Sequence, residues 1–312
     1  MSAKDVVGNS SFDSQQENPT NAHRRCDIMS AKDVVGNSSF DSQQENPTNA
    51  HRRCGIMIAK QSSQSACFAP GVTIQEISAA GKSFRELGDL LEQSSGQVLL
   101  RDCLGQRFLG AGTKQLDIKI TGIPGNALGA YLNGSSLEVM GNAQDAVGDT
   151  MNAGRIVIHG NVGDTAGYAM RGGTILVEGC AGYRSGVHMK EYEDKLPVMV
   201  IGGSAGSFLG EYQAGGIILV LGLDASKPIV GNFPCTGMHG GKVFLRSDCR
   251  DILFPAQVTA RPADEEDLEL IRPYVEDFCR CFGRDSKKIM DAPFTVVTPD
   301  SRNPYRQMYV AN

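Results

Sequence analysis

The sequence predicts a mainly β protein, a right-handed parallel β-helix of about seven coils with flanking helices. Three observations predict it. Gly122, Gly141, Gly160 and Gly179 stand 19 residues apart. A run of alternating apolar residues precedes each glycine: QLDIKITG, SSLEVMG, GRIVIHG and GTILVEG. After an insertion near residues 191–197 the pattern resumes as PVMVIGG, GIILVLG and GKVFLR, and Gly203 to Gly222 again spans 19 residues. A unit that short has no room for a helix, so each repeat is expected to be one coil of a solenoid.

Residues 1–28 recur as 29–56 with a single change, Asp27 becoming Gly55. This polar, Ser/Asn/Gln-rich duplication has no apolar period to offset its ordering entropy and is expected to be disordered. Its two His-Arg-Arg-Cys clusters read as solvated basic spots. Residues 57–112 form a lead-in with a capping helix and a first coil. Ser83-Phe-Arg-Glu86 is a capping-box pattern opening a helix to about Gln93, with Phe84, Leu87, Leu90 and Leu91 on one face. The run QVLLRD is a strand, and the helix is expected to close the open end of the solenoid.

Residues 113–247 are the β-helix proper. Well-formed coils read G-x5-G-x5-G: Gly148, Gly154, Gly160; Gly167, Gly173, Gly179; Gly210, Gly216, Gly222. Corners need residues that tolerate positive φ. Between corners, period-2 alternation sets Ile120/Ile118, Val139/Leu137, Ile158/Ile156, Val177/Ile175, Ile201/Met199, Val220/Ile218 and Leu245/Val243 inward. The outward column between them reads Lys119, Glu138, Val157, Leu176, Val200, Leu219, Phe244. Its apolar part requires a cover. The expected cover is a C-terminal helix for part of it and a partner for the rest.

That helix is expected over residues 264–282, with Leu268, Ile271, Val275, Phe278 and Phe282 on one face and Pro273 kinking or splitting it. The whole of 248–312 is read as helix plus extended tail. The tail, with Phe294, Tyr305, Met308 and Tyr309, is too proline-rich to suggest regular structure and is expected to lie extended on a surface.

A net charge of −5 removes the electrostatic case for nucleic acid. The longest apolar run, near residues 217–223, is far short of a membrane span, and no basic start leads into an apolar stretch. Both point to a cytoplasmic location. The nine cysteines, Cys26, Cys54, Cys67, Cys103, Cys180, Cys235, Cys249, Cys279 and Cys281, contain no CxxC pair and read as reduced thiols without a metal.

Several motifs invite a chemical reading. Gly203-Ser-Ala-Gly206 resembles a dinucleotide loop, but a strand rather than a helix follows it. No Walker lysine occurs. Asn126, Asp145 and Asp164 share the 19-residue period and read as a polar ladder satisfying corner amides rather than a carboxylate dyad. His159 reads as a surface or packing residue. His188-Met-Lys-Glu-Tyr192 begins one insertion, and Cys235-Thr-Gly-Met-His239 is placed in another, so these loops are the best contacts for a partner or ligand. No residue is assigned a catalytic, cofactor-binding or metal-binding role.

The stretch PGNALGAYLNGSSLEVMGNAQDAVGDTMNAGRIVIHGNVGDTAGYAMRGG, with AGSFLGEYQAGG and IVGNFPCTGMHGG, resembles the GXGXG domain at the C-terminal end of the glutamate synthase large subunit. The resemblance covers about residues 74–246. It is shared with β-helical subunits of methylamine–glutamate N-methyltransferase and formylmethanofuran dehydrogenase. It implies a non-catalytic scaffold subunit, with chemistry in a class II glutamine amidotransferase subunit and an FMN-barrel synthase subunit carrying FMN and an iron–sulfur cluster. No N-terminal cysteine nucleophile or barrel is recognisable here; Cys26 and Cys54 do not fit the nucleophile. A self-sufficient β-helix enzyme such as a polysaccharide lyase would instead repeat acidic or basic residues along one outward column, which this column does not do.

Overall fold

The computed structural model of the chain describes residues 73–224 and 228–301. The duplicated segment 1–56 and Tyr305, Met308 and Tyr309 lie outside the described residues. Nine strands, β1 (Ile74–Ser78), β2 (Gly96–Leu104), β3 (Leu116–Ile123), β4 (Asn133–Val139), β5 (Ala153–Ile158), β6 (Gly173–Val177), β7 (Pro197–Ile201), β8 (Ala214–Val220) and β9 (Gly240–Leu245), stack in chain order. Each pairs parallel with the next. From β2 to β9 no helix intervenes, and sequential parallel strands of that kind make a β-solenoid, as the period requires.

The ladder register carries the repeat into space. Ile118, Leu137, Ile156 and Ile175 pair in turn at steps of 19 residues. Ile175 to Met199 steps 24, Met199 to Ile218 steps 19, and Ile218 to Val243 steps 25. All seven inward pairs expected from alternation are fully buried in one continuous core. A second wall is a line of single parallel bridges through Ala143, Val162, Ala181, Ala205 and Val230. The third wall is a turn whose inward residues include Leu109, Leu128, Val147, Ala166 and Leu209.

The corner glycines serve two purposes. Gly154 and Gly173 have φ of 107° and 84° and sit against the preceding coil's backbone. Gly160 is not left-handed; a Cβ there would stand 2.8 Å from the Gly141 backbone, so the requirement is close stacking. The closing glycines thus do not all need positive φ, because the chain there runs directly over the coil below.

Non-glycine residues also occupy the left-handed region. Ala127, Ala146, Thr165, Arg184, Phe208 and Phe233 form one column with φ from 56° to 63°, and Tyr131, Thr150, Ala169, His188 and Tyr212 form another, from 49° to 57°. Such conformations cost about 1–2 kcal/mol per residue. Coil-to-coil hydrogen bonds offset the cost: Ala127 N–H donates to Asp145 O at 2.9 Å, and His188 N–H to Glu211 O at 3.0 Å.

Both ends of the solenoid are closed. Helix α1 (Phe84–Glu92) carries the complete Ser83–Glu86 capping box and plugs the first coil with Leu87 and Leu91. At the other end β11 (Thr295–Pro299) pairs antiparallel with β9 and with β10 (Val258–Pro262). The tail expectation is corrected here: its first part is regular strand, because Val296 and Val297 alternate between two apolar clusters while the prolines fall outside the paired stretch with β9. Helix α2 (Glu265–Phe282) is one continuous helix capped by Asp264 and Gly283. Pro273 does not split it; the proline is exposed, so the Glu269 carbonyl it leaves without a donor faces the solvent side.

Candidate functional site

The outward sheet face is the first place to look for chemistry, and its C-terminal half is closed by the chain itself. Leu176, Val200, Leu219 and Phe244 are fully buried in a cluster with Ile271, Val275 and Phe278 of α2, Ile289 of α3 (Ser286–Met290), Phe294 and Val296. The expectation that a partner covers part of this stripe is therefore corrected: from Leu176 to Phe244 the cover is intramolecular. Polar contacts fix α2 across it. Lys242 Nζ reaches Asp267 at 2.9 Å, Arg155 pairs with Asp277, and Arg284 pairs with Glu178 at 3.0 Å. Burial works against charge on Asp267, yet Lys242 and Arg261 outweigh it and hold the carboxyl below its ordinary range.

Further toward the N-terminus the same face holds an ionic cluster. His159 Nε2 lies 2.8 Å from Glu138 Oε1, Lys119 Nζ lies 3.1 Å from Glu138 Oε2, and the His159 ring meets Phe282 edge-on at 5.1 Å. His159 is thus a packing residue beneath the end of α2. Its hydrogen bond, helped by the Lys119 ammonium, holds Glu138 down at about 2 against an ordinary 4.5. The folded value lies below the unfolded one, so this stabilisation is present above pH 4.5 and is lost as pH falls through about 2. Glu138→Gln is expected to lower the melting temperature near neutral pH, with the two proteins converging in acid. A constant difference across that range would rule out the charged cluster as its source.

The predicted ladder is present and doubled. Asp145 Oδ1 accepts from Asp164 N–H at 3.0 Å, and Asp164 Oδ1 from Tyr183 N–H at 2.8 Å. Beside it, Asn142 Oδ1 accepts from Asn161 N–H and Asn161 Oδ1 from Cys180 N–H, a column the sequence reading missed although it keeps the same 19-residue spacing. Asn126 contributes its backbone carbonyl, to Phe108 N–H. Each ladder carboxylate is engaged with an amide one coil away, which is a structural duty.

Of the two singled-out loops, one lies where expected. Residues 190–196 form the first insertion, closed by reciprocal backbone bonds between Tyr192 and Lys195. Cys235-Thr-Gly-Met-His239 is not inserted. Cys235 N–H donates to Leu209 O and His239 N–H to Gln213 O, the regular bonds of the last coil, and the extra residues lie upstream between Val220 and Val230. Cys235 misled the reading because it stands at φ 60° where the earlier coils carry glycine.

The structure nevertheless brings the two loops together. Lys190 and Glu191 stand beside Ala214, Gly215, His239, Gly240 and Gly241 around a cavity of about 370 Å³. Glu191 Oε1 accepts from Gly216 N–H at 3.0 Å, and His239 Nδ1 lies 3.0 Å from Gly237 O. Next to it, His188 stacks on Tyr212 at 5.3 Å and meets Tyr168 edge-on at 5.9 Å. Beneath, fully buried Gln213 interrupts a column of buried methionines, Met151, Met170, Met189 and Met238. Its amide donates to Gly215 O and Gly216 O, both at 3.1 Å.

Among the described residues no group of three or more His, Cys, Asp or Glu is placed to hold a metal ion. Burial pushes the Cys103 and Cys235 thiols up to about 12, far from the thiolate that ligation or nucleophilic attack needs. No helix among the described residues is long and apolar enough to cross a membrane.

Comparison with known proteins agrees with the geometry. The chain is 42% identical over 248 residues to the uncharacterized protein MJ1350 of Methanocaldococcus jannaschii, covering 75% of this chain and 95% of that one. Its fold is similar to a chain in the X-ray crystal structure of the formyltransferase/hydrolase complex (FhcABCD) from Methylorubrum extorquens in complex with methylofuran. That similarity has a TM-score of 0.50 at 21% identity, over 65% of this chain and 72% of that chain. Residues 93–299, which hold the glycine corners, the inward ladder and helix α2, match the GXGXG motif family, and the chain belongs to that family.

Proposed function

We propose that the chain is a non-catalytic β-helical scaffold subunit of a glutamate synthase-type complex in the cytoplasm. A class II glutamine amidotransferase subunit and an FMN-barrel synthase subunit, the latter with FMN and an iron–sulfur cluster, would carry the chemistry. The observation behind this reading is the GXGXG match over residues 93–299 together with a set of potentially reactive groups already committed elsewhere. Glu138 engages both His159 and Lys119, the ladder carboxylates bind amides, and burial raises the Cys103, Cys235, Cys249 and Cys279 thiols. The outward stripe that would be the cleft of a polysaccharide lyase-type enzyme is filled by α2.

A second reading, a subunit of a formylmethanofuran dehydrogenase-type or methylamine–glutamate N-methyltransferase-type complex, draws on the fold similarity to the formyltransferase/hydrolase complex. The purified chain is expected to show no glutaminase activity and no amination of 2-oxoglutarate. Mixed with the two candidate subunits, it is expected to co-elute and to be required for glutamine-dependent glutamate formation. Robust turnover by the chain alone would sink the scaffold reading. Co-elution with formyltransferase/hydrolase subunits instead would select the second.

A further inference from the structure

The cavity beside His239 brings a lysine, a glutamate and a histidine to one place on the solenoid. It lies where the first insertion folds back over the strand starts of the two following coils, β8 and β9. Gly215, Gly240 and Gly241 line it, and the space each would give a Cβ is taken up by Glu191, Ala214 and Gln213, so these glycines are needed for the close packing that shapes the site. Gln213 holds this lining from below through the Gly215 and Gly216 carbonyls. At about 370 Å³, the cavity has room for roughly a dozen waters, each taking about 30 Å³. That is the scale of a small metabolite rather than a peptide or a nucleotide.

Three side chains of different character converge on it. The Lys190 ammonium has no carboxylate partner among the described residues. His239 has its Nδ1 occupied by Gly237 O, which leaves Nε2 as the ring nitrogen for a ligand. Glu191 has one oxygen on Gly216 N–H and the other left over. One cation, one imidazole and one half-engaged carboxylate on a single rim match a molecule carrying both a carboxylate and an ammonium group. A simple anion would be opposed by Glu191, and a simple cation by Lys190.

We infer that this cavity binds a free α-amino acid, its carboxylate held by Lys190 and its ammonium by Glu191 and the acceptor Nε2 of His239. The site does not depend on which complex the chain joins, and its failure would leave the scaffold reading untouched.

The test uses the full chain with its five histidines isotopically labelled, titrated with L-glutamine, with acetate and with inorganic phosphate. The His239 signal is assigned by its loss in His239→Gln. L-glutamine is expected to shift that signal saturably. Lys190→Ala is expected to weaken L-glutamine by about tenfold, the scale of a lost hydrogen bond to a charged group. Glu191→Gln keeps an acceptor for Gly216 N–H and removes only the charge, so it is expected to weaken L-glutamine while strengthening acetate. Unaltered melting temperatures confirm that both variants fold. No saturable His239 shift with L-glutamine overturns the assignment. So does a shift that acetate or phosphate reproduces equally and that Glu191→Gln does not weaken, which would mark a bare anion site.

Discussion

Gly154→Val is expected to destabilise the solenoid by about 3 kcal/mol or more, the sum of backbone strain and forced overpacking. At φ 107° a branched side chain is strained wherever it points, and here its Cβ would also enter the Ser135 carbonyl of the coil below. That carbonyl has little room to swing aside, since Ser135 is buried in β4 between the paired residues Asn133 and Ser136 and its hydroxyl accepts from Leu116 N–H. The informative comparison is Gly81→Val, where φ is 71° and nothing lies within 4 Å of the new Cβ. Gly81→Val should show strain alone, about 1–3 kcal/mol. Denaturant unfolding of the two variants measures both, and equal losses would show that coil-to-coil contact at Gly154 contributes nothing.

Phe278→Ala is the second large effect, expected at about 3–5 kcal/mol. The Phe278 ring is fully buried between α2 and the sheet, and its Cζ would lie only 2.7 Å from a Cβ placed on Gly202. That bare glycine is what lets the ring settle onto the outward face. Truncation leaves a ring-sized void over Leu176 and Val200. Thermal melting should register the loss, and dye binding should rise as the stripe becomes accessible. A Phe278→Ala protein that melts like the parent would mean that α2 contributes no packing energy there.

Much of this was legible in the residues. Six inward pairs followed from counting back from the closing glycines and a seventh, Leu245 and Val243, from the last strand, because a buried sheet face tolerates only apolar residues. The capping box at Ser83 and Glu86 is local chemistry and read directly. What did not read was non-local or context-dependent. Nothing in Tyr131, Ala146 or Arg184 announces a left-handed backbone, because the stacking hydrogen bonds that offset it come from residues a coil away. Strand β10 and its pairing with β11 were invisible for the same reason. Cys235 broke the glycine column and so looked like an insertion, while the real one lay upstream. The cavity at His239 arises only when three coils are stacked, so its members were named as loops before they could be seen as neighbours.

The placement of α2 has a consequence for how the molecule comes apart. A bare solenoid behaves as a row of turns in which each feels only its neighbours, so an end can fray one step at a time. Eighteen residues of helix reach about 27 Å, more than the roughly 19 Å that separate β5 from β9. Asp277 is fixed at Arg155 on β5, and Asp267 at Lys242 on β9. The helix therefore acts as a crossbar. None of the five turns beneath it can leave without undoing contacts that belong to the others, which converts a chain of neighbour-to-neighbour steps into a single all-or-none block.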